Sequence, residues 1–275
     1  MLEQLYSDKW LANKSGFSFL LGFAYAILGI GSAIIVFPHD PALPAVAFTS
    51  LLLLPSLNRM LSIEEKQAAG ETKFSLFNPF RDHLDIFGVY FFSFLGIMAA
   101  FSFFSLILPD ISTSQLFHEQ ISIIGPAGNA VAPHGSFSGL VANNFLVFIF
   151  IFLASFIYGA GSIFVIVWNA SVWGVVIATI ARNAANAVGN NPFAYFAATI
   201  LSAFPHMFLE AGAYFMATIS GAVIGQAVLT EKIFSERFTK AVKDALTLFG
   251  IAVIILILGA YVESHLTGRI FRLFA

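Results

Sequence analysis

Long apolar runs separated by short polar segments dominate this chain, and most of them outlast the core helices of a soluble domain. Residues 15–37 carry no charged side chain and can cross a hydrocarbon core of about 30 Å as a helix. The run exceeds the apolar core of a signal peptide, and no small-residue cleavage site follows, so it is expected to stay as the first span. Residues 41–58 are close to the minimum length for a crossing, and residues 86–109 form a third span. Residues 143–157 and 162–181 predict a tight hairpin turning at Gly159-Ala160-Gly161. Residues 193–228 would make a helix of about 54 Å, too long for one straight crossing. The expectation there is a short helix to about Ala203, a break before Pro205, and a span beyond it. Residues 245–262 close the set. The predicted fold class is an all-α, polytopic transmembrane helix bundle of six or seven spans.

Charged positions orient and divide this pattern. Arg59, Lys66, Lys73 and Arg81 share one segment, and Lys232, Arg237, Lys240 and Lys243 another, while Lys9 and Lys14 precede the first span. Residues 38–43 and 110–140 hold no Lys or Arg. The positive-inside rule then predicts a cytoplasmic N-terminus, and seven crossings put the C-terminus outside, against the sign of Arg269 and Arg272. Two regions follow. Residues 1–142 are expected to hold three spans, a cytoplasmic loop 59–85 and an outer loop 110–140 that folds back toward the membrane face. Residues 143–275 form a second membrane core. Within it, residues 231–249 place Phe234, Phe238, Ala241 and Ala245 at helical spacing, which predicts a cytoplasmic amphipathic helix leading into the last span.

Composition narrows the chemistry. Of 275 residues 59% are hydrophobic and 10% charged, against roughly a quarter charged in soluble domains, so membrane lipid is the expected surrounding. A formal net charge of −2 with no basic stripe argues against nucleic acid as a partner. The chain has no cysteine, so disulfides, thiolate metal sites and cysteine nucleophiles are excluded. It has no HExxH, no phosphate-binding Gly-rich loop with its lysine, and no serine elbow, since Phe137 holds the middle of "GSFSG". No catalytic set, no cofactor and no metal are therefore expected.

One candidate site stands out. Glu210 is the only acid deep inside an apolar run, and a carboxylate there is costly unless it faces the bundle interior and is paired or protonated. His206, four residues earlier, shares its helical face, and Pro205 is best tolerated in a first turn. Ala213, Ala217, Gly221 and Gly225 follow at a spacing that lets helices approach closely. The group reads either as a polar clamp fixing a helix break, or as a functional site for an ion, a proton or a ligand; two ligands alone make a poor zinc site. Asn143 and Asn144 open the fourth span, Asn169 lies within the fifth, and Glu263 closes the last. Buried Asn side chains in membranes usually bond between helices.

Taken together, Asn143-Asn144, the turn at Gly159 and Gly161, "NASVWG" from Asn169 to Gly174, "PHMFLE" from Pro205 to Glu210 with Gly221 and Gly225 behind it, and the closing Glu263 form a pattern. It resembles the stage II sporulation protein M family over residues 143–264. Ala170 and Met207 stand where that family usually has glycine, and Gly268 where proline is common. The resemblance implies a polytopic membrane protein whose founding members anchor and organise cell-wall hydrolases rather than catalyse. Expected partners are accordingly other membrane or cell-envelope proteins, or a second copy. The alternative is a transport or export permease with a polar site at His206 and Glu210.

Overall fold

The computed structural model describes residues 15–68, 84–123 and 136–267. Lys9, Lys14, Lys73, Arg81, His134, Gly268, Arg269 and Arg272 lie outside the described residues. The described residues are helical throughout, in the order α1 (Ser15–Val36), α2 (Ala42–Ala68), α3 (Leu84–Ile107), α4 (Asp110–Leu116), α5 (His118–Ser122), α6 (Phe137–Tyr158), α7 (Ile163–Val188), α8 (Pro192–Thr230) and α9 (Glu236–Val262). A 3₁₀ turn, Ala160–Ser162, joins α6 to α7, and a π turn, Glu263–Thr267, extends α9. Among these residues, six helices are long and apolar enough to cross a membrane, and Ala42–Leu57 is a shorter apolar stretch.

Local chemistry sets the helix ends. Pro109 follows α3 and stops it. Ser136 caps α6, its hydroxyl accepting from the Gly139 N–H. Gly159 ends α6 at φ 60°, and Gly189 ends α7 at φ 67°, a region that costs glycine nothing. Asn191 caps α8 with Pro192 in its first turn, and Ser235 caps α9.

The helix that crosses the Pro205 region corrects one expectation. No break precedes Pro205: α8 is one helix of 39 residues with Pro205 inside it. Proline cannot donate to the Leu201 carbonyl, which removes one helical bond. A single lost bond inside a packed bundle does not end the helix, because its neighbours hold the turns on either side. The stretch 231–249 leads into the last span without interruption: from Glu236 onward it is the first part of α9 itself.

Close backbone approach decides how the helices pack. A Cβ at Gly22 would collide with the Ser93 carbonyl, and one at Gly96 with that of Phe19, so α1 and α3 touch backbone to backbone. Gly174 lets α7 rest against Met98 of α3, where the Ser102 hydroxyl donates to the Gly174 carbonyl at 3.1 Å. Gly221 and Gly225 seat α8 against the Phe152 and Phe156 carbonyls of α6. On its other side α8 meets α9, with Ser220 donating to the Ala245 carbonyl at 2.7 Å. Rings on α3 close the layer: Phe87, Tyr90 and Phe94 surround Phe215 of α8, and Phe91 meets Phe208. The apolar window of α8 is 78% buried against 22% for α6, which makes α8 the central helix.

These contacts make a paired prediction. Gly225→Ala drives a methyl into the Phe156 carbonyl and should cost about 1–3 kcal/mol. Gly250→Ala, which meets nothing within 4 Å, should be neutral or gain up to about 1 kcal/mol. Unfolding in mixed micelles measures both.

Candidate functional site

The site is built where α6, α8 and the end of α9 converge. Glu210 is buried on α8, and the Tyr214 hydroxyl, one turn further along, donates to its Oε1 at 2.7 Å. Asn144 of α6 is also buried and lies within electrostatic reach of the same carboxyl. Asn144 in turn accepts from the Asn143 amide at 3.2 Å, and Asn143 is exposed. Glu263, at the start of the π turn, lies within electrostatic reach of both Glu210 and Tyr214. The same π turn brings Thr267 to His206, whose Nδ1 shares a hydrogen bond with the Thr267 hydroxyl at 2.9 Å. Tyr261 stacks on His265 beside it, with ring centroids 4.4 Å apart.

His206 and Glu210 therefore do not bond to each other; no ion pair joins them among the described residues. They share one face of α8, as their spacing requires, but each reaches a different neighbour. Asn169 stands apart. Its amide donates to the Val165 carbonyl of its own helix at 2.8 Å, so no hydrogen bond ties it to the Glu210 group. Gly174 serves the α3–α7 contact, and Gly221 and Gly225 serve the α6–α8 contact. Gly161 packs under Tyr158 at the hairpin turn that Gly159 begins. Among the described residues no three His, Asp or Glu side chains are grouped so as to hold a metal ion.

Several polar residues at or beside the site escaped the sequence reading. Tyr214 is the main one; its place four residues after Glu210 was the available signal. Below it, Thr218 donates to the Tyr214 carbonyl at 3.0 Å and shares a hydrogen bond with Ser162 at 3.1 Å. Ser155 donates to Ser162 at 2.7 Å, so three fully buried hydroxyls tie α6, the hairpin turn and α8 together. The result is a polar file from exposed Asn143, through Asn144, Glu210 and Tyr214, to Ser155 at the opposite end of α6.

The helical bundle with its membrane-length apolar helices defines a polytopic integral membrane protein. The pattern of the family described as Stage II sporulation protein M matches residues 88–268, and the chain belongs to that family. No curated protein and no solved structure matches it. The match begins well before Asn143, so the family region includes α3, α4 and α5 as well as the motif-bearing helices.

Two variants of Glu210 should separate its charge from its bonding. Glu210→Ala leaves the buried Tyr214 hydroxyl without its acceptor, and should cost about 1–3 kcal/mol. Glu210→Gln keeps an acceptor oxygen for Tyr214 and should cost less than about 1 kcal/mol. Thermal unfolding in detergent micelles compares them.

Proposed function

We propose that this protein is a non-catalytic integral membrane protein that anchors or organises a membrane complex. One observation carries the reading: the polar groups of the motif gather where α6, α8 and the end of α9 pack together. Buried Asn144 of α6 lies beside Glu210 of α8, which Tyr214 holds by a bond within α8, and His206 of α8 bonds to Thr267 beyond α9. Such a clamp fixes the relative positions of three helices, which is what a platform for partners requires. The founding members of the family supply the precedent. The partners are other membrane or cell-envelope proteins, or a second copy of the chain. The protein would sit in the cell membrane with its N-terminus cytoplasmic, which puts the basic positions of 59–85 and 231–243 on one side. It also puts the Lys- and Arg-free segment 110–140 on the other.

A transport or export permease is the second reading. It draws on the polar file, because exposed Asn143 bonds to buried Asn144, which lies beside Glu210. Broken helices are the usual frame of such sites, and the unbroken α8 favours the platform instead.

Cross-linking in native membranes, followed by purification in mild detergent, tests the proposal. The expected result is a stable complex with a second copy or another membrane protein, weakened in Glu210→Ala. Recovery of monomer alone after cross-linking would overturn it. Solute flux in proteoliposomes that is lost in Glu210→Ala would establish the permease.

A further inference from the structure

The segment after α3 does more than bridge two spans. α4 and α5 turn back into the helix layer. Phe117, between them, is fully buried against Phe101 of α3 with ring centroids 5.5 Å apart, and Thr113, Leu116 and Gln120 are buried beside it. Three side-chain bonds fix the segment to α7 at different depths, one of them Arg182 donating to Thr113 Oγ1 at 3.4 Å. Asp110 pairs with Arg182 at 2.7 Å, and the Gln120 amide donates to Ser171 at 3.3 Å. Ser171 and Arg182 are eleven residues apart on α7, hence about 16 Å by helical rise. The segment therefore re-enters the bundle.

Its attachment is lopsided. Arg182 is largely buried and donates to carbonyls at the end of α3, Ser105 at 2.8 Å and Leu108 just beyond it at 2.7 Å, where a cation suits the helix end. Its acidic partner Asp110 is 75% exposed. A second contact, His118 to Asp40 at 3.6 Å, is exposed on both sides. Behind the segment, Ser105 Oγ, Gln120 Oε1 and Arg182 Nε have no hydrogen-bond partner among the described residues. Buried polar atoms left unpaired favour any state that hydrates them. Apolar burial of Leu116 and Phe117 and the Arg182 latch oppose that state.

We propose that α4 and α5 form a re-entrant gate, latched by Asp110 and Arg182, whose opening exposes a hydroxyl-lined seam between α3 and α7. Ser102, Ser105, Ser171 and Arg182 line that seam. The gate lies apart from the Glu210 clamp and stands whether or not the protein organises a complex.

The absence of cysteine makes the test direct, because a single introduced thiol has no background. Ser105→Cys in the full chain, reconstituted in nanodiscs, is labelled with a water-soluble maleimide; Ser138→Cys, at an exposed position, gives the rate for an open site. The expected result is slow labelling at position 105 that rises about threefold or more when Asp110→Asn is added, the factor that loss of one largely exposed ion pair supports. Asp110→Glu should restore the slow rate. Unchanged unfolding midpoints would show that the fold is intact in each variant. Labelling of Ser105→Cys that is indifferent to Asp110→Asn, or that already equals Ser138→Cys, would overturn the gate.

Discussion

The backbone contact between α6 and α8 governs much of the rest. Without side chains at Gly221 and Gly225, α8 lies directly on the carbonyls of Phe152 and Phe156. In lipid no hydrophobic force drives such an approach; packing and interhelical hydrogen bonds supply it. The short separation and the rotation it imposes bring Asn144 to Glu210 on one side and Ser155 with Ser162 to Thr218 further along. The α8–α9 contact then completes the site from the other side, carrying the π turn to His206.

The burial of Glu210 becomes tolerable on these terms. A lone carboxylate in hydrocarbon is costly, by several kcal/mol on insertion scales. Here the carboxyl accepts from a tyrosine hydroxyl and lies beside a buried asparagine, with a second carboxyl nearby rather than a cation. Each interhelical bond in a membrane contributes about 0.6 kcal/mol on average. The clamp is thus worth more for the geometry it imposes than for the stability it adds. That balance accords with a motif whose residues come from three separate helices.

Much of this was legible in the sequence, for reasons that separate cleanly. The spans were readable because hydrocarbon thickness imposes a length that few other constraints mimic. Glu210 was readable because a buried acid is conspicuous against apolar neighbours, and the Asn143, Asn144 and Glu263 positions followed from the family pattern. Continuity through Pro205 was not readable, since local backbone preference says nothing about what neighbouring helices will hold. Tyr214 was legible from its place four residues after Glu210, on the same helical face. The bond between Ser162 and Thr218 was hidden, because it forms only once the glycine contacts have set α8 against the hairpin. Asn169 shows the reverse: its type suggested an interhelical bond, and its position gave it one to its own turn. The inward fold of α4 and α5 depended on Phe117 finding Phe101, a tertiary fact.

The hydroxyl knot at the α6–α7 turn bears on how the chain is assembled. Ser155 and Ser162 are seven residues apart and satisfy each other within the hairpin. The pair can therefore enter the bilayer as a closed unit during synthesis, before α8 exists. Thr218 arrives later, already bonded to its own helix at the Tyr214 carbonyl, and adds its bond to Ser162 only on docking. No hydroxyl in the group needs to wait in lipid without a partner, so the order of translation and the order of bond formation coincide.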